Sequence, residues 1–445
     1  MKRRTFIQNS SAAASSLLIS PDWSILRRST LNDIQIGVIG CKGMGWSNTS
    51  VLLEQADVAL VGICDVDQNV IDQRIQDHKE MRPDDPTPKT YRNHEDLLQD
   101  PSIDAVVIGT PDHWHCKIMV DALAAGKHVY VEKPVANTIE ESYLMVAAQQ
   151  KYNKVVQVGQ WQRSGTQYRV AKEIVNSGQL GQIRLVKCWA YQGWMKPMQP
   201  AADTAVPDGV DYKRWLGPAP DRAFNPNRFH FNFRWFWDYA GGLMTDWGVH
   251  EIDIALYIMG AEAPKSVVAS GGKLAYPNDP AETPDTMQAI FEYDDFTMLW
   301  EHATGIDGGP YGRREGIAFI GNNGTLIVNR QGYEIVSERE FNGWNQERPE
   351  KMKSIESRMP WQAQPPLQTH CQNFIAAVKA NDHSMLNTPI ESGAIAAINA
   401  QMGNIALRSG QKIYWDSTTR TFKDNALANK LAQANYHNGW ELPQL

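Results

Sequence analysis

The stretch IQIGVIGCKGMG, from Ile34 to Gly45, constrains the fold more than any other part of this 445-residue chain. A β-branched apolar run enters a glycine-rich turn, and a helical pattern begins at Met44. Glycine permits the tight reversal from strand to helix, and it leaves backbone N–H groups free to face an anion at the positive helix end. Asp65 closes the next apolar run, VALVGICD, twenty residues after Gly45. A carboxylate at that position can accept hydrogen bonds from a ribose diol and repels a 2′-phosphate. Strand, glycine turn, helix, strand and acid, in that order, predict a dinucleotide site that favours NAD over NADP, formed by Gly40, Lys42, Gly43, Met44, Gly45 and Asp65. The spacing departs from G-x-G-x-x-G, because Lys42 takes the middle position and Gly43 follows it.

The alternation continues. DAVVIGTP, KHVYVEKP and KVVQVG read as further strands, with helices between them at His113 to Ala124 and Thr138 to Gln150, whereas MRPDDPTPKT is too rich in proline for either and reads as a loop. Strand after strand separated by helices predicts an α/β fold opening on a Rossmann-type, doubly wound parallel sheet. Beyond Val155 the pattern changes to longer polar and apolar alternation with short turns. The expected second unit is an α/β domain on a large open, mainly antiparallel sheet, with one helix over Gly242 to Met259. The domain reading is 1–30 as an export segment, 33–158 as the nucleotide domain, 159–412 as the substrate domain and 413–445 as a tail packed on both.

Net charge is −7, and the first thirty residues hold five basic side chains against one acidic, so the remainder is more acidic still. Such a surface gives nucleic acid no electrostatic footing. Five scattered cysteines make neither a disulfide framework nor a metal motif, and no metal site is expected. Arg3-Arg4 precedes the apolar run Ala12 to Ile19, which is too short to span a bilayer and is arranged like a twin-arginine export signal. The expected location is therefore the periplasm, or the cytoplasm if the signal is not used, without stable membrane insertion.

Glu132-Lys133-Pro134 follows the fourth apparent strand, at the sheet edge where ligands bind in such folds. A lysine there can point its ammonium at a substrate hydroxyl. In GGLMTDWGVHEID, Asp246 and His250 stand four apart, with Asp253 three further on, so one helix would carry all three on one face. A carboxylate beside an imidazole suits acid–base chemistry; a buried histidine satisfied by its helix neighbour, or metal ligation together with His113 and His115, are the alternatives.

In this order and at these separations, the glycine turn, CDVD, GTPDHWH, EKP and GGLMTDWGVHEID resemble the Gfo/Idh/MocA oxidoreductases, from Ile34 to about Gly410. The resemblance implies a nicotinamide cofactor and an open-sheet domain that often forms an oligomer interface, here a homo-oligomer. It implies that Lys133 meets the reacting hydroxyl, His250 acts as acid–base, and Asp246 holds the substrate or the imidazole. It places Thr110, Pro111 and His115 along the nicotinamide and Glu132 on the cofactor side, with Gln162 and Arg163 able to reach either ligand. Trp235 and Trp237 belong to the aromatic run FNPNRFHFNFRWFWDYAGG, which can wall a carbohydrate site or pack as a loop core.

An exported enzyme of this kind has to keep its NAD and regenerate it in place. The expected function is hydride transfer between tightly bound NAD and a hydroxyl of a sugar, polyol or glycoside. The alternatives are glycoside cleavage by transient oxidation, elimination, hydration and reduction, and a non-catalytic binding or scaffold protein. For the elimination step Asp246, Tyr191, Asp238 and His302 are the candidate proton donors.

Overall fold

The computed structural model describes residues 34–358 and 364–445; the export segment lies outside them. The first unit runs β1 (Ile34–Ile39), α1 (Met44–Leu52), β2 (Val58–Cys64), α2 (Gln68–Met81), β3 (Lys89–Tyr91), α3 (His94–Leu98), β4 (Ala105–Ile108), α4 (Asp112–Ala124), β5 (His128–Val131), α5 (Ile139–Tyr152) and β6 (Val156–Val158). Its six strands are parallel, in the order β3-β2-β1-β4-β5-β6. Strand order reverses between β1 and β4, the place where an open parallel sheet forms its ligand crevice. The stretch expected to be a loop ends in edge strand β3, where Lys89 and Thr90 pair with Gly62 and Ile63 beyond the last proline.

The second unit runs α6 (Thr166–Asn176), β7 (Ile183–Gln192), α7 (Tyr212–Leu216), α8 (Gly242–Asp246), α9 (Gly248–Met259), β8 (Ser266–Gly272), β9 (Thr286–Glu292), β10 (Thr297–Thr304), β11 (Glu315–Gly321), β12 (Gly324–Asn329), β13 (Gly332–Ser337) and β14 (Ile355–Arg358). It ends with α10 (Pro366–Ala380), α11 (Ile390–Ser409), β15 (Ile413–Asp416), β16 (Thr421–Phe422) and α12 (Ala426–Ala432). The sheet has ten strands, ordered β14-β13-β12-β11-β7-β10-β9-β8-β15-β16. Only β7 and β10 pair in parallel, and the other neighbours are antiparallel.

Alternation decides which face is covered. Met287, Ala289 and Phe291 of β9 turn inward against the helices, while Gln288, Ile290 and Glu292 turn outward. The outward face carries Val268, Ile290, Leu185 and Val336 exposed, with Ile290 directly beside Val268 and Leu185 beside Ile320.

The return helices join the two units. Phe374, Ile375 and Val378 of α10 pack into the nucleotide-domain core with Ile36, Val38 and Tyr130. Helix α11 gives Ile390 and Ala397 to that domain and Ile398, Met402 and Ile405 to the sheet domain. The tail after α12 crosses back over the nucleotide domain. Tyr436 Oη donates to Glu141 of α5 (2.9 Å), Asn438 Nδ2 donates to the carbonyls of Gly217 and Ala219 (2.9 and 2.8 Å), and Trp440 sits edge-on to Trp114.

Candidate functional site

After β1 the chain turns through Gly40 (φ 80°) and Gly43 (φ 53°) into α1. A Cβ on Gly45 would lie 2.0 Å from the Gly40 carbonyl oxygen, and one on Gly109 would lie 2.4 Å from the Gly45 Cα. Backbone touches backbone here, so these positions exclude any side chain. Gly43 is different, because nothing lies within 4 Å of a Cβ built on it. Its open side borders a cavity of about 500 Å³ that runs from Asp65, past Gly40, Lys42 and Met44, to Lys133 and Arg234.

Asp65 sits at one end of the cavity. Its Oδ2 accepts the Cys41 N–H (2.8 Å) and its Oδ1 the Asp67 N–H (3.1 Å). Burial raises its pKa against the pull of those amides. At the other end Thr110, Pro111, His115 and Glu132 border the cavity. Thr110 Oγ1 is buried without a partner among the described residues, a hydroxyl left for a bound group. His115 spans the carbonyls of Thr110 and Pro134 at 2.8 Å each, and burial pushes its ring down to about 4, so the neutral imidazole donates to only one of them. Glu132 accepts from Asn48 Nδ2 (2.7 Å) and from the Lys133 N–H (3.1 Å). An open glycine cradle, a ribose-type acid and an orphaned hydroxyl, bordering one cavity, fit a dinucleotide.

Lys133 is tied across the domain junction. Its Nζ donates to the Asp246 carbonyl (2.8 Å) and to Asp246 Oδ1 (2.9 Å), which also accepts from Arg234 Nε (3.2 Å). Burial disfavours the Asp246 charge, but Lys133 and Arg234 outweigh it and hold the carboxyl down to about 2. The expected pairing of Asp246 with His250 is therefore corrected. The helix breaks at Trp247, so the two residues do not share one continuous helical face, and the carboxylate turns to the two cations. His250 instead lies between Trp161 and Trp247, with ring centroids 6.3 and 6.1 Å away, and its buried Nδ1 has no partner among the described residues. Burial, with Lys133 and Arg330 adding to it, keeps its pKa well below the usual histidine value, so the ring is neutral.

Several expected contacts lie elsewhere. Arg163 pairs with Asp253 through Nε and Nη2 and donates to Ser392, which ties α9 to α11 away from the cavity. Gln162 Oε1 accepts from Arg330 Nη2 (2.9 Å). Trp235 is buried in the loop's own core with Tyr212, Trp215 and Tyr239, and Trp237 carries Arg408 on its ring. Asp238 is paired with Arg222 (2.7 Å), the His302 nitrogens meet Trp300 and Pro284, and Tyr191 does not line the cavity. The loop reaches the cavity through Phe231 and Phe233, which hold Arg234 between them at 4.7 Å each. Arg234 and Asp112 are site residues that the sequence reading did not single out, although Asp112 stands in GTPDHWH and Arg234 in the aromatic run. No group of three or more His, Cys, Asp or Glu side chains among the described residues is placed to hold a metal.

The fold and the cavity define a two-domain dinucleotide-binding protein. Residues 34–160 match the family model of the Gfo/Idh/MocA oxidoreductases for the NAD-binding Rossmann fold, and residues 164–297 match that for the C-terminal alpha/beta domain. The matches together cover more than half of the chain, which belongs to this family. It is 30% identical over 186 residues to the uncharacterized oxidoreductase YrbE of Bacillus subtilis, covering 42% of this chain and 44% of that protein. It is 29% identical over 154 residues to Glycosyl hydrolase family 109 protein 1 of Shewanella sp. (strain ANA-3), covering 34% and 33%. These alignments span less than half the length of either curated relative. A solved levoglucosan dehydrogenase, in complex with NADH and levoglucosan, shares the fold with a TM-score of 0.63 at 18% identity, over 86% of this chain and 99% of that one.

Proposed function

We propose that the protein is an NAD-dependent oxidoreductase acting on a hydroxyl of a sugar, polyol or glycoside. One observation carries this reading: a single cavity joins the ribose acid Asp65 and the open side of Gly43 to Lys133, held at the far end by Asp246, whose Oδ1 also accepts from Arg234. The nicotinamide, when bound, supplies the hydride acceptor. Lys133 faces the reacting hydroxyl and stabilises the charge that develops on its oxygen as the proton leaves. Asp246 positions Lys133. His250, neutral and within electrostatic reach of Lys133 but behind the residues that line the cavity, is assigned the proton. The carbohydrate class is supported by the levoglucosan dehydrogenase fold neighbour.

NAD, in preference to NADP, follows from Asp65. Asp65→Ala is expected to weaken NAD binding by about tenfold or more, the loss of one to two charge-assisted hydrogen bonds, and to narrow the preference over NADP. Titration of both cofactors checks this, and unchanged NAD affinity would remove Asp65 from the ribose. Retention of NAD is supported by the tail, which ties the loop turn at Gly217 to α4 and α5 beside Trp114, itself a cavity residue. Tight retention fits export by the twin-arginine route, because a recycled cofactor needs no external pool.

Glycoside cleavage through the same hydride cycle is the second reading, favoured by the similarity to a family 109 glycosyl hydrolase. Chromogenic glycosides decide between the two: aglycone release supports cleavage, and net oxidation without release supports a dehydrogenase.

The open sheet face supports self-association of two copies, since an exposed apolar row spans its strands. The double substitution Leu185→Glu, Ile290→Lys is expected to leave the fold intact and to convert the assembly to monomers in light scattering at matched concentration. A wild-type chain that is already monomeric would contradict this.

A further inference from the structure

We propose that Asp112 is the acid–base residue that protonates the leaving oxygen in glycoside cleavage, an inference that rests on the glycosidase reading above. Asp112 opens α4 immediately after Thr110-Pro111, at the carboxyl end of β4, and lines the cavity beside Lys133 and Arg234. Three carboxyl groups line that cavity, and two are engaged: Asp65 by two backbone amides, and Glu132 by Asn48 and the Lys133 amide. The third, Asp112, is only 6% exposed, and its carboxyl meets its own backbone N–H but accepts no hydrogen bond from any other residue among those described. A buried carboxyl facing a cavity without a protein partner is poised for a ligand.

The surrounding charges agree with that role. Arg234 and Lys133 favour the ionised form and Asp246 opposes it, but burial dominates and pushes Asp112 up to about 8. The neutral His115 on the same helix adds no charge. At neutral pH Asp112 is therefore a proton donor held next to cations, the state a general acid requires.

The step balances as follows. Oxidation of a ring carbon sends its hydride to NAD and its hydroxyl proton to His250, which passes the proton to water. The ketone acidifies the neighbouring C–H, whose proton goes to the freed His250 while its electron pair forms the double bond to the anomeric carbon. The anomeric C–O bond breaks, and the leaving oxygen takes the proton of Asp112. Water then adds at the anomeric carbon and returns a proton to Asp112, the carbon regains its proton from His250, and the hydride returns with a proton from water. The net change is glycoside plus water to sugar plus alcohol.

Asp112→Asn in the intact protein with its own NAD tests this, using nitrophenyl and alkyl glycosides. Three quantities are read: NAD content, reduction of the bound nicotinamide by its absorbance in a single turnover, and aglycone release. The expected variant keeps its NAD and still reduces it, but releases an alkyl aglycone about 10²- to 10⁴-fold more slowly, with a smaller deficit for nitrophenol, which leaves without help. Wild-type release of the alkyl aglycone is expected to fall as pH rises through about 8, where Asp112 ionises, and the variant is expected to lack that limb. Loss of bound NAD would make Asp112 a cofactor residue and overturn the proposal, as would unchanged alkyl release. A wild-type enzyme that oxidises sugars without releasing any aglycone would instead remove the glycosidase reading and this role with it.

Discussion

Lys133→Met is expected to lower kcat for sugar oxidation by about 10²- to 10⁴-fold while bound NAD stays in place. Methionine keeps the unbranched stem that reaches across the domain junction and deletes only the ammonium. Asp246 then loses one hydrogen bond at its carbonyl and one at its carboxylate, but the carboxylate keeps Arg234 at 3.2 Å, so its charge is not orphaned. The expected stability loss is about 1–3 kcal/mol, less than for a fully buried pair left with no partner. The pH dependence has a definite sign. The Asp246 carboxyl is held down to about 2, so its contribution is complete above the ordinary aspartate value of about 3.9 and is lost as pH falls toward 2. The variant is expected to show a smaller drop in melting temperature between neutral and acid pH than the wild type. Steady-state kinetics with melting curves at both pH values would check both parts. An unchanged kcat would place Lys133 away from the reacting hydroxyl.

Two glycines in one turn are expected to respond in opposite ways. Gly45→Ala drives a methyl to 2.0 Å from the Gly40 carbonyl oxygen, against backbone that directly follows β1 and is anchored by the Gly40 N–H to the Cys64 carbonyl (2.9 Å) at the end of β2. The fold is expected to lose roughly 3 kcal/mol or more, at the upper end of overpacking costs. Gly43→Ala meets no atom, so the protein folds, but the residue must hold φ 53° and ψ −121° with a side chain, a strain of about 1–3 kcal/mol. Its methyl also stands on the open side that faces the cavity. NAD affinity is expected to fall by about tenfold or more, with a modest decrease in melting temperature. Calorimetric titration with NAD on both variants separates the effects. Gly43→Ala protein that binds NAD as tightly as the wild type would mean that the pyrophosphate does not pass over this turn.

Local chemistry made the nucleotide half readable, because β1, β2 and the turn between them each carry their own signal: β-branched runs, glycines at positive φ and an acid at a strand end. Strand β3 escaped because the prolines before it mask three pairing residues at a sheet edge. The break at Trp247 was invisible for the opposite reason, since apolar spacing runs unbroken from Leu243 to Leu256 while the α-helix is divided at Trp247. That break separates Asp246 from His250 and frees its carboxylate for Lys133, 113 residues away in the chain. No periodicity encodes such a contact. Arg163 was expected to reach a ligand but pairs with Asp253 away from the cavity, a contact no pattern encodes, and the aromatic run showed hydrophobic content without showing which rings turn inward. Phe231 stays exposed while Trp235 is buried, a distinction set by the loop's own core.

The central claim, a retained dinucleotide that accepts hydride from a sugar, meets its most direct test in protein purified without added nucleotide. The sample is denatured, the supernatant assayed for NAD, and an intact portion mixed with a panel of sugars and glycosides while nicotinamide absorbance is followed. Close to one NAD per chain, reduced on addition of at least one sugar or glycoside, is the expected result. Protein without NAD that neither binds it on addition nor shows any spectral change with carbohydrate would contradict the claim.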